Sequence, residues 1–149
     1  MYYYQGVVTE YLRADRSTFV NTEFCIQLDR DQMARDRHWY CDAVALECSS
    51  ETIFLCEISF ADGLGALLKR LCAWKDHWSD LCAALKRDAG LTKLAVGWGV
   101  RPWLFIPEAS VPKVEKKAPS ECALLSTGDN TRNGPALELS ILVPQRRKR

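Results

Sequence analysis

Apolar residues recur at three- and four-residue steps from Leu64 through Leu67, Leu68, Leu71, Trp74, Trp78 and Leu81 to Leu85. That spacing predicts one long amphipathic helix over 64–88, ended by Gly90. Val7, Val8, Tyr11 and Leu12 form a shorter stripe with Glu10 off it, which predicts a helix from Tyr4 to about Arg13. TFVNTEFCIQL (18–28) is β-rich and partly alternating and reads as a strand, followed by the charged connector DRDQMARDR (29–37). HWYCDAVALECSSETIFLCEISFA (38–61) reads as two apolar strands joined by a Ser-Ser turn, and Asp62 before Gly63 is a plausible N-cap for the long helix. LTKLAVGWGVRPWLFIP (91–107) reads as a strand with a second extended segment after Gly-Val-Arg-Pro; ALELSILV (136–143) is a weak strand-like stretch. The order helix, three strands, long helix, strand predicts a small mixed sheet flanked by helices, in the α/β or α+β class.

At 48% hydrophobic and 26% charged, the 149-residue chain has an ordinary globular composition. The division expected is one domain over 1–110 and a basic, Pro-, Lys- and Ser-rich tail over 111–149. Residues 1–110 hold 12 Lys/Arg against 15 Asp/Glu, a net of −3, and 111–149 hold 8 against 4, a net of +4. Bulk charge on the body therefore does not favour a nucleic-acid partner. No apolar run reaches the roughly 18 residues of a membrane span, and the N-terminus lacks a signal peptide's basic region and cleavage site. A cytoplasmic protein with no membrane partner is expected. Its seven cysteines, mostly inside apolar runs, fit that compartment as small hydrophobes.

Each strand of the 38–61 hairpin carries one acid, Asp42 and Glu57, deep in its apolar run. A turn centred on Ser49-Ser50, or a loop over 48–51, pairs residues whose numbers add to 99 and places Asp42 opposite Glu57. Facing side chains have Cβ atoms about 5 Å apart. Two like charges at that distance repel by roughly 3 kcal/mol at an effective dielectric of about 20. A shared proton, a basic side chain from the long helix, or a divalent cation would offset this.

The element order, an acid on the second strand, and Glu57-Ile58-Ser59 fifteen residues later resemble the restriction-endonuclease-like phosphodiesterases, the PD-(D/E)xK superfamily. The likeness spans roughly residues 4–106. It implies a Mg²⁺- or Mn²⁺-dependent nuclease acting on nucleic acid, DNA before RNA. Asp42 and Glu57 would be metal ligands, with the Ile58 carbonyl, and Glu10 is a further candidate from the first helix. In such a site the cation stabilises charge on the scissile phosphate and activates water. Ser59 stands where that family has lysine, and a serine cannot supply its positive charge. Lys69 or Lys75 on the long helix would then have to supply the amine, Lys75 being the better placed beside the apolar stripe. The alternative is a catalytically degenerate relative that binds nucleic acid or protein, its acid pair neutralised by side chains of its own.

Other motifs carry less. No Cys-x₂-Cys pair supports zinc, and Gly63-Leu64-Gly65 lacks the third glycine of a dinucleotide loop. The tryptophans read as core and His77 as surface; the terminal RRKR reads as a binder of phosphates or of an acidic partner, as a localisation signal, or equally as an incidental basic end.

Overall fold

The computed structural model describes residues 2–28, 38–60, 64–114, 116 and 138–141. The connector 29–37, Asp62, Gly63 and the RRKR end lie outside them. Helix α1 (Tyr2–Ala14) leads into β1 (Thr18–Gln27), β2 (His38–Glu47) and β3 (Thr52–Ile58). Helices α2 (Gly65–Asp76), α3 (Trp78–Arg87) and α4 (Ala89–Leu94) follow, then β4 (Gly99–Ile106) and β5 (Glu138–Ile141). The sheet order is β1-β2-β3-β4-β5, antiparallel through β3 and parallel from β3 to β5. The class is α+β. Among the described residues, no helix is long and apolar enough to cross a membrane.

Helices cover both faces of the sheet, which is why β3 is buried along its whole length. On one face Val8 and Leu12 of α1 pack on Ala43, Ala45, Phe54, Cys56, Ile58 and Phe105. The two alanines leave room for the helix to approach. On the other face Leu67, Leu71, Trp74, Leu81 and Leu85 cover Val44, Leu46, Ile53, Leu55, Leu104 and Ile106. The α1 stripe is narrower than its sequence suggests, since Val7 and Tyr11 are exposed.

The elements differ from the sequence reading in four places. The expected long helix is two, broken at His77, whose φ of −119° and ψ of 25° leave the helical region. Its apolar stripe nevertheless continues from Trp74 to Leu81, because both pieces lie over the same sheet. The first piece begins after Leu64, not at an Asp62 cap. Gly90, read as the end of the long helix, and residues 91–94, read as strand, lie in α4, capped by Asp88, whose Oδ1 accepts from the N–H of Gly90 at 2.9 Å and of Leu91 at 3.1 Å. The extended stretch is a single strand, β4, running through Pro102. The bonds Gly99 N–H to Glu51 carbonyl and Ser59 N–H to Phe105 carbonyl show that odd-numbered β4 residues turn their backbone toward β3. Pro102 therefore presents its missing donor to the opposite side, where β5 pairs only from Trp103 onward.

Cys25, Cys41, Cys48, Cys56 and Cys82 are free thiols. Cys72 is disulfide-bonded, a departure from the expected set of reduced cysteines.

Candidate functional site

The β2–β3 ladder follows the expected register: Glu47 pairs with Thr52 and each rung adds to 99 up to Ala43 and Cys56. There the regular ladder stops. The bond between Ser59 N–H and the Phe105 carbonyl turns residues 57 and 59 toward β4, so the N–H of Ile58 points at β2. The Asp42 carboxylate meets it, Oδ2 accepting from Ile58 N–H at 2.7 Å. On the other side of Asp42, Gln5 of α1 donates to its carbonyl at 3.4 Å.

The same rung disturbs β1. Glu23, flanked by the pairs Thr22–Ala43 and Phe24–Cys41, has a φ of 53°. Side-chain phase shifts there on both strands. Val20, Ala43 and Ala45 face α1, whereas Phe24, Ile26, Trp39 and Cys41 pack with Val44 and Leu46 on the opposite face. Simple alternation, which would send Asp42 into the core beside Val44, therefore fails at this residue. Its carboxylate is half-buried and caps an orphan backbone donor.

Glu57 is fully buried, at 0% exposure, on the face covered by α2. Arg70, one turn from Leu67 and Trp74 on that helix, brings Nη2 to 2.9 Å from Glu57 Oε2. The contact is close but its N–H directions are poor, and among the described residues neither Glu57 oxygen accepts a well-aligned hydrogen bond. Burial and the nearby Asp42 charge raise the Glu57 carboxyl to about 8, against the smaller opposing pull of Arg70. That guanidinium is 43% exposed, so water screens much of its attraction. At neutral pH Glu57 therefore holds a proton most of the time. Burial, then Glu57, then Asp42 raise the Cys41 thiol, and burial dominates the rise at Cys56. Both are inert structural thiols.

The remaining candidates lie elsewhere. Glu10 is exposed and bonds Arg13 at 3.4 Å on the outer side of α1. Lys69 is exposed and Lys75 half-buried, and neither makes an ion pair with Glu57. Ser59 is half-buried, its N–H committed to β4. The basic group beside the acid is Arg70, which sequence reasoning passed over in favour of the lysines flanking it. Its signal was available: 67, 70 and 74 are three- and four-residue steps along the buried stripe.

A divalent cation needs oxygen donors that are ionised and free to turn toward it. Here Asp42 Oδ2 is taken by a backbone N–H, Glu57 is largely protonated at neutral pH, and a guanidinium already sits against Oε2. Among the described residues, no three His, Cys, Asp or Glu side chains gather into a metal-binding group. The donor set fits Mg²⁺ or Mn²⁺ poorly.

Known proteins supply no assignment. No family model, curated protein or solved structure matches the chain.

Proposed function

We propose that this chain is a non-catalytic binding module, built on a nuclease-like αβββ(αα)β scaffold in which an internal arginine takes the cation's place. One contact carries the reading: Arg70 Nη2 at 2.9 Å from Oε2 of the fully buried Glu57. A guanidinium there occupies the place beside the acid that a phosphodiesterase gives its metal, and it meets the carboxylate's charge whenever Glu57 ionises. Ser59 at the position of the expected lysine points the same way, as among the described residues no lysine forms an ion pair with either acid. The body's net charge of −3, from 12 Lys/Arg and 15 Asp/Glu over 1–110, favours a protein over a nucleic-acid partner. So do the exposed apolar residues Phe19, Leu94 and Val96.

The competing reading, a Mg²⁺-dependent nuclease, draws on the poor alignment of the Arg70 contact, which leaves both Glu57 oxygens without good donors. Thermal unfolding with Mg²⁺ or Mn²⁺ titrated at pH 8.5, where Glu57 is ionised, separates the two. The binding-module reading expects the same midpoint with and without cation for wild type, Asp42→Ala and Arg70→Ala, and no cutting of labelled DNA or RNA. A cation-dependent rise that vanishes in Asp42→Ala, accompanied by cleavage, would overturn it.

A further inference from the structure

Strand β1 forms one margin of the sheet, and its outer edge is open over a short stretch. The Ser17 carbonyl accepts from Cys48 N–H at 2.9 Å, so odd-numbered residues in this half of β1 turn their backbone toward β2. Even-numbered Thr18, Val20 and Thr22 turn theirs outward. The Thr18 N–H is used locally, donating to the Asp15 carbonyl at 3.1 Å. Among the described residues, nothing pairs with the Thr18 carbonyl, the Val20 N–H and carbonyl, or the Thr22 N–H. Beyond them the positive φ of Glu23 bends the strand and bars a straight partner from continuing.

Beside this edge, on the face carrying α4, lies a cleft of about 250 Å³ lined by Phe19, Asn21, Phe24, Leu46, Leu91 and Leu94. Phe19 and Leu94 on its rim are 65% and 67% exposed.

We propose that the occupant of this edge is a second copy of the chain, its β1 antiparallel to this one about a twofold axis at Val20. The free groups are self-complementary under that operation. Val20 exchanges both of its bonds with the partner's Val20, and Thr22 N–H donates to the partner's Thr18 carbonyl, and conversely. Those bonds use every unpaired group named above. The Thr18 N–H, already bonded to Asp15, is not needed. On the cleft side, Phe19 falls opposite the partner's Asn21 and covers its cleft, so each exposed phenyl gains an apolar seat. One step further, Glu23 lies across from the partner's Ser17, beside the partner's Arg16. Arg16 and Glu23 are both exposed, and neither has an ion-pair partner among the described residues. A foreign strand could use the edge bonds, but it has no reason to match this order of charge, phenyl and donor. The paired stretch ends at Glu23, so the interface is small and the dimer reversible.

Sedimentation equilibrium of the full chain from about 1 to about 300 μM tests this, a range that spans weak dimerisation. The wild type is expected to self-associate. Thr22→Pro removes a donor that the monomer does not use, and should weaken the dimer about tenfold or more with the monomer's circular dichroism unchanged. Arg16→Glu and Glu23→Arg should each weaken it severalfold, and the two together should restore it. A monomer throughout the range, or a dimer indifferent to Thr22→Pro and to the charge swaps, overturns the proposal. If Thr22→Pro fails to fold, the swaps decide: rescue by the double variant supports the interface, and no rescue removes it.

Discussion

Glu57 is the residue whose chemistry is most out of place. Its folded carboxyl titrates at about 8 against an ordinary 4.5, so the folded state holds a proton that the unfolded chain has released between those values. Stability contributed this way is present below the unfolded value and is lost as pH rises toward 8. The unfolding free energy of the wild type, measured by urea denaturation, should therefore fall between pH 5 and pH 8.5 by on the order of a few kcal/mol. In Glu57→Gln, which keeps the shape without the ionisation, the decline should flatten. Arg70→Ala exposes the same linkage from the other side. At pH 6, with the acid neutral, it should cost little. At pH 9 it should cost about 1–3 kcal/mol, because the ionised carboxylate is then left buried without its counter-charge.

At the scale of elements, two acids act as caps, one on a strand and one on a helix. Asp42 closes the β2–β3 ladder by accepting from the Ile58 N–H at 2.7 Å. Asp42→Ala should lose about 1–3 kcal/mol by urea denaturation, the cost of an orphaned buried donor. Asp42→Asn keeps an acceptor oxygen and should lose less; by removing a charge it should also lower the Glu57 pKa, visible as a decline in stability that is smaller and levels off at lower pH. Asp88 caps α4 through the N–H groups of Gly90 and Leu91. Asp88→Ala should cost about 0.5–2 kcal/mol, with faster amide exchange in residues 90–94. The capping role of Asp88 was not legible from its sequence neighbours, since the apolar 91–107 run supports a strand as readily as a short helix. The hairpin was legible because its period is two and its loop short, which leaves one register that buries both apolar runs. Asp42's real orientation was not, because the phase shift arises jointly with Glu23 on a strand paired to it from outside the hairpin.

For the whole molecule, a sheet covered on both faces places its central strands where cavities cannot collapse. Leu55→Ala, at 0% exposure, should cost about 2–5 kcal/mol by urea denaturation. Leu94→Ala, at 67% exposure, should stay within about 0.5 kcal/mol. The amino-acid order alone determined the succession of elements, the α+β class, the hairpin register and the apolar stripe over 64–85, because these follow from local periodicity and short connections. Tertiary structure decided the rest. It broke the stripe's helix at His77, turned 89–94 into α4, and carried β4 through Pro102 on the side of the strand where no donor is required. Above all it chose Arg70, rather than Lys69 or Lys75, as the cation facing Glu57. Helical spacing sets 69, 70 and 75 on different sides of α2, with Arg70 in line with Leu67 and Trp74; the sheet lying beneath that helix then makes that side the one that meets a buried acid.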